Sequence, residues 1–449
     1  MSPSKGLSGY LTKYAEPESM GLEGPGKHWR HCVAIPACAE GKGFAKTLES
    51  LAHIENIQST LLVLVVNGAD SSPASHHEKN AEFLNWIRGL TGCGNSRVSW
   101  GRYAEMDICL VDRCSPGRRL PSGQGVGLAR KISADIPAAL FLEGRLTTPW
   151  VHTTDADVEL PADYLSRVPD GGDYSAALHP YKHMLEGDPS QELAMLQYES
   201  YLHFYTLGLI HASSPYAYTA IGSTIALHLE YYAAVRGFPK RQAGEDFYLL
   251  NKLAKVGTVT KLSGAPIRVR GRFSDRVPFG TGAALLKITG ERSIGEGYTM
   301  YDPRSFEVLG AFLRAWESFS NHASFSRFRE ELEELESCWP GLESVIANSG
   351  VLKMGEQVVG QVKAGPPLRR RLMEWMDAFR TLKFMHGVRE HMFSELPWKE
   401  AIEQSSFCSV GLKNSPRELC DALGEEIIRK ENGSIVTVRP RSTENEKEE

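Results

Sequence analysis

Short, continuously apolar runs alternate with stretches of helical spacing from residue 31 to residue 157, and this alternation narrows the folds open to the chain more than any other feature. His31 to Ile35, Leu61 to Val66 and Met106 to Val111 are too short for helices and carry no polar face, so they read as strands buried on both sides. Between them, Phe44 to Ile54 sets Phe44, Leu48, Leu51 and Ala52 on one face, and Lys79 to Leu90 and Val126 to Ile136 also read as helices. A further strand-like run, Pro149 to Thr154, leads into Asp155-Ala156-Asp157. The repeat predicts a parallel sheet covered by helices on both faces, and ligands of such sheets bind beyond the carboxyl ends of the strands. The acid pair falls at that edge.

Farther on, Gln191 to His211 reads as a long aromatic helix, Tyr218 to Ala226 as strand-like and Leu229 to Arg236 as a helix. A Gly237-Phe238-Pro239 turn and a second acidic pair, Glu245 and Asp246, follow. Past about residue 284 the chain turns amphipathic and helical: Phe306 to Phe319, Phe325 to Glu336, Leu368 to Val388, Trp398 to Gln404 and Pro416 to Lys430. The expected organisation is a flexible N-terminal arm over 1–28, an α/β domain over 29–283, a mainly helical region over 284–430 and a disordered polar tail over 431–449.

Composition excludes some classes of function. Of the 449 residues 42% are hydrophobic and 23% charged, which describes a globular protein. A formal charge of −5 argues against nucleic acid as a partner, because such binders carry a basic field. The longest apolar run, Leu61 to Val66, is far too short for a transmembrane segment, so a cytoplasmic protein is expected, with peripheral membrane contact left open. The 8 cysteines include no C-x-x-C pair, so they read as free thiols, and no zinc site is expected. His152, His179, His203 and the other scattered histidines read as satisfied or partly exposed rather than as ligands.

Asp155 and Asp157 stand two apart on an extended segment and therefore point the same way. Two carboxylates on one side suit a hard divalent cation, Mn²⁺ or Mg²⁺, that keeps positions open for phosphate oxygens. The competing reading is a solvated strand end whose second acid caps a helix.

Four motifs in order give the chain a family resemblance. They are Val33-Ala34-Ile35-Pro36-Ala37-Cys38-Ala39-Glu40, the turn Val66-Asn67-Gly68-Ala69-Asp70, the Asp155 pair, and Gly237-Phe238-Pro239 with Gly244-Glu245-Asp246. Together they resemble the inverting family 2 glycosyltransferases over roughly residues 30 to 260, a family whose GT-A fold is a doubly wound mixed sheet that binds nucleotide-sugars. The match departs at Ala39 and Asn67, where Asn and Asp are usual. It also lacks a Gln-x-x-Arg-Trp segment, which puts processive synthesis in doubt.

The resemblance implies a nucleotide-sugar donor and a saccharide, lipid-linked or small-molecule acceptor. Pro36, Ala37, Glu40 and Asn67 would contact base and ribose. Asp155 would bond the ribose or a metal-bound water, and Asp157 would ligate the metal. Asp246 would be the general base, with Glu245 orienting the acceptor; a negatively charged helix N-terminus is the competing reading. Arg130 and Lys131 occupy the region where the family carries a basic residue facing the donor. Arg268, Arg270, Arg272 and Arg276 form an arginine-rich segment suited to a diphosphate or an anionic acceptor, or alternatively an exposed basic edge strand. The rival functions are a nucleotidyltransferase acting on a sugar phosphate and a non-catalytic sugar-binding scaffold.

Overall fold

The computed structural model describes residues 5–41, 43–185, 188–271, 298–431 and 438. The chain divides into two units, one of Met1–Glu186 with Ala220–Ala283, the other of Gly187–Thr219 with Ala284–Glu449. One difference from the expected boundaries is that residues 187–219 belong with the helical unit. The reason is packing, since the rings of Tyr201 and Tyr205 pack against Tyr301, and Phe204 against Phe306 and Phe407.

Strands of the first unit are β1 (His31–Ala37), β2 (Thr60–Asn67), β3 (Val98–Tyr103), β4 (Met106–Arg113), β5 (Trp150–Thr153), β6 (Val158–Glu159), β7 (Tyr174–Leu178), β8 (Tyr181–Met184), β9 (Ile225–His228), β10 (Thr258–Lys261) and β11 (Ile267–Arg270). Eight form one mixed sheet ordered β10-β7-β9-β5-β1-β2-β4-β3. Within it β9 and the edge strand β3 run against the others. Every residue of β1 and β2 is buried, as their apolar interiors require. Pro36 fits inside β1 because β5 stops pairing at Ala34; the missing N–H points to a side where the ladder has already ended.

Helices α2 (Phe44–Ala52) and α3 (Ala74–Thr91) cover one face, where Phe44, Leu48, Phe83, Leu84 and Ile87 meet Val33, Ile35, Leu62 and Leu64. Helix α4 (Gly125–Leu142) packs on β1 and β2 as well. It is buried at every residue from Gly127 to Phe141, so its outer side needs a cover. That cover corrects the expected flexible arm: α1 (Lys5–Tyr14) packs on α4, burying Leu7 and Tyr10. Tyr10 Oη donates to Asp135 Oδ1 at 2.5 Å, and the Glu16 amide donates to Asp135 Oδ2 at 2.8 Å.

Other differences are local. Strand β3 escapes sequence reading because it is a half-exposed edge paired by a hairpin to β4. Helix α4 runs through Pro137 instead of ending at Ile136. Strand-like 218–226 shrinks to β9 preceded by a short 3-10 turn, Gly222–Thr224.

The second unit is mainly helical. Its long helix α5 (Pro189–His211) is capped by Asp188, whose carboxylate accepts from the Ser190 and Gln191 amides. Helices Arg304–His322, Phe325–Cys338, Leu342–Ser349, Val351–Val358, Trp398–Gln404 and Pro416–Glu431 follow, and the single helix expected over 368–388 is two, Pro366–Trp375 and Ala378–His391. The break falls where Asp377 caps the second by accepting from the Arg380 amide.

Candidate active site

Three segments converge at the carboxyl edge of the main sheet. Strand β5 ends at Thr153, and the Thr154 amide still bonds Ala34 before the chain swings out into Asp155-Ala156-Asp157. Because β9 runs antiparallel to β5, its leading residue Gly222 reaches the same edge, and its carbonyl accepts from Thr153 Oγ1 at 2.9 Å. The third segment opens the helix Glu245–Leu253 with the second acid pair, after Gly244 in the left-handed region at φ 70°.

Arg130, in the second turn of α4, ties them together. Its Nε donates to Glu245 Oε1 at 2.8 Å and its Nη2 to Asp155 Oδ1 at 2.5 Å, with the side chain only 4% exposed. The Gly125-Val126-Gly127 opening of α4 makes this approach feasible: a Cβ on Gly127 would lie 2.4 Å from the Pro239 carbonyl oxygen, so α4 docks directly on the loop that precedes Glu245. Gly222 has the same logic, since a Cβ there would stand 2.3 Å from Arg130 Nη2. The third guanidinium nitrogen, Nη1, is buried and has no hydrogen-bond partner among the described residues.

One guanidinium thus faces three carboxylates. Burial raises Glu245, the neighbouring Asp246 raises it further, and Arg130 offsets only part of this. Asp246, half-buried, is also raised by burial, although it accepts from the Phe247 amide at 2.7 Å and from the Gly222 backbone. The pair is therefore held above the usual carboxylate range, short of positive charge. Arg130 itself is pushed up by Asp155 and Glu245 against the opposing effect of its burial.

The first acid pair keeps the orientation expected of it. Burial alternates strictly from Asp155 to Leu160, with Asp155, Asp157 and Glu159 on the accessible side and Ala156 and Val158 buried. Beyond it, β11 pairs with β6 and β8 in a small separate sheet, and the Arg270 amide donates to the Asp157 carbonyl. Arg268 is ion-paired to Glu159 at 3.2 Å, and the Arg270 guanidinium lies against Gly43, which opens α2. Arg272 and Arg276 lie outside the described residues.

The remaining expected site residues divide. Pro36, Ala37 and Glu40 are buried at and just past the end of β1, and Asn67 ends β2. Asn67 Nδ2 donates to the Ala37 and Val65 carbonyls, which makes its amide a clamp between the strand ends. Lys131 is a correction. One step round α4 from Arg130, its ammonium bonds Tyr10 Oη and Asp135 Oδ2, so it anchors α1 and lies outside the cluster that Arg130 organises. His152 is also structural: packed at a tilt against Tyr164 and His179 and bonded to His179 at 3.3 Å, it is held well below the ordinary histidine value by burial.

Sequence reading missed Asn80. It donates to the Asn67 carbonyl and accepts from the Ala39 amide, shaping the loops after β1 and β2. The signal was present, because Asn80 is a polar residue at i−3, i−4 and i−7 from the core positions Phe83, Leu84 and Ile87.

No family model matches the chain, and no curated protein matches it. Among solved structures, S. aureus TarS 1-349 in complex with UDP-GlcNAc aligns at 12% identity and a TM-score of 0.34, covering 90% of this chain and 92% of that one. The mannosyltransferase PcManGT from Pyrobaculum calidifontis, in complex with GDP-Man and Mn2+, aligns at 14% identity and a TM-score of 0.32, covering 86% and 94%.

Proposed function

We propose that the chain is a metal-dependent glycosyltransferase that moves a sugar from a nucleotide-sugar donor to an acceptor hydroxyl, inverting and non-processive. The observation that carries this reading is the convergence of Arg130, Asp155, Glu245 and Asp246, from three distant segments, at the carboxyl edge of a doubly wound sheet. A sugar transfer needs a cation-bearing side for the departing diphosphate and a base on the other side of the sugar. Two separate acid pairs are suited to that division.

Asp155 and Asp157 would hold Mn²⁺ or Mg²⁺. The fit is chemical: both donors are oxygens on one accessible side of the strand end, and three carboxylates share a single guanidinium, which favours a further cation. Bound there, the ion supplies charge neutralisation of the leaving diphosphate. Arg130 positions Asp155 and Glu245, and its unused Nη1 offers a donor to an anionic oxygen.

Asp246 takes the proton of the acceptor hydroxyl as its oxygen bonds the anomeric carbon and the sugar–phosphate bond breaks, the electron pair leaving with the nucleoside diphosphate. A carboxylate raised by burial is a better base near neutrality than an ordinary one. Glu245, held by Arg130, orients the acceptor.

The test is a screen of nucleotide sugars for Mn²⁺-dependent release of nucleoside diphosphate, with donor binding measured separately. Asp157→Ala is expected to abolish the metal-dependent part of donor binding; wild-type affinity in metal would remove the metal role. Asp246→Asn is expected to bind donor yet lose turnover by about 100-fold or more. Full turnover in that variant would place the base elsewhere.

A further inference from the structure

Within the helical unit, Glu199 and His203 lie one turn apart on α5, and Cys420 approaches them from the C-terminal helix Pro416–Glu431. A ligand atom from each lies within 4.8 Å of the other two. All three residues are buried, at 4%, 7% and 1% exposure.

We propose that Glu199, His203 and Cys420 form a zinc site, completed by a water molecule, that staples the C-terminal helix to α5. Carboxylate oxygen, imidazole nitrogen and thiolate sulfur are the donor types zinc takes, and residues at i and i+4 of a helix present two of them on one face. His203 Nε2 stands 3.5 Å from Glu199 Oε1. Zinc bond lengths of about 2.0–2.3 Å in a tetrahedron separate ligand atoms by roughly 3.3–3.8 Å, a spacing the Glu199–His203 pair already has.

Binding would release the thiol proton to solvent and link metal affinity to folding of the unit. Sequence spacing could not reveal this site, because its third ligand lies more than two hundred residues beyond the first two.

The test uses the full chain, stripped with chelator and then titrated with Zn²⁺ or Co²⁺ alone. Wild type is expected to retain about one equivalent of zinc and, with cobalt, to show a thiolate-to-metal charge-transfer band. Cys420→Ala should lose that band, His203→Gln should weaken binding by about 10-fold or more, and Asp157→Ala should leave the band unchanged. Zinc-edge X-ray absorption on wild type reads the same point without any variant, by finding one sulfur among nitrogen and oxygen ligands. Folded wild type that holds neither metal overturns the proposal, as does a band that survives Cys420→Ala or a zinc shell without sulfur.

Discussion

Arg130 carries more of the proposed active site than either acid pair, because its fork holds one member of each. Arg130→Met leaves Glu245 buried without its cation and is expected to destabilise the protein by about 3–5 kcal/mol in urea denaturation. Arg130→Lys keeps the charge but cannot bond both carboxylates, so it should fold and lose most turnover. Gly222→Ala drives a methyl group into the same guanidinium and is expected to cost about 1–3 kcal/mol, with a loss of activity. The acids set a pH dependence. Because burial raises Asp246, kcat/KM is expected to rise with pH through a value above the ordinary carboxylate value of about 4, and Asp246→Asn to flatten that limb. Their effect on stability has the opposite sense: a raised folded value favours the native state below about pH 4, and that contribution is lost as pH rises through the raised value. At this scale both acid pairs were legible as sequence motifs. Arg130 over Lys131 was not, since the choice depends on which way each side chain leaves α4.

Elements show where local pattern stops being enough. The apolar runs of β1, β2 and β4 declare themselves because strands buried on both faces need no alternation. Residues 1–28 look like a solvated arm, yet α1 docks because α4 is buried all round and carries Asp135. Asp135 takes bonds from Tyr10, Tyr232, Lys131 and the Glu16 amide. Tyr10→Phe is therefore expected to lower stability by about 1–2 kcal/mol and to speed proteolysis of the N-terminal helix. An unchanged melting temperature and digestion rate would mean that α1 is not held by this bond.

For the α/β unit, pH acts through buried neutral histidines. Burial and neighbouring charge lower His31 to about 4 and His179 to about 3, and His152 is held well below its ordinary value by burial and by both of them. Between those values and about pH 6.5 the unfolded chain binds protons that the folded one does not, so stability falls as pH drops. Each histidine contributes up to about 1.4 kcal/mol per pH unit in its window, opposed in part by Glu245 and Asp246. Urea midpoints at pH 7.5, 6.5 and 5.5 should fall progressively, and a flat series would contradict neutral burial.

What the chain's sequence determined alone is the part governed by near neighbours: strand and helix periodicity, the doubly wound class of the sheet, and the placing of two acid pairs at turns after regular elements. Only the tertiary structure decided which groups meet. Arg130 reaching Glu245, Asp135 collecting α1, and Cys420 facing His203 all join residues more than a hundred positions apart or on opposite sides of a helix. Periodicity reports which face of an element is apolar, but a contact between two elements is set by crossing geometry and by the space a glycine leaves, neither of which is written in either segment by itself.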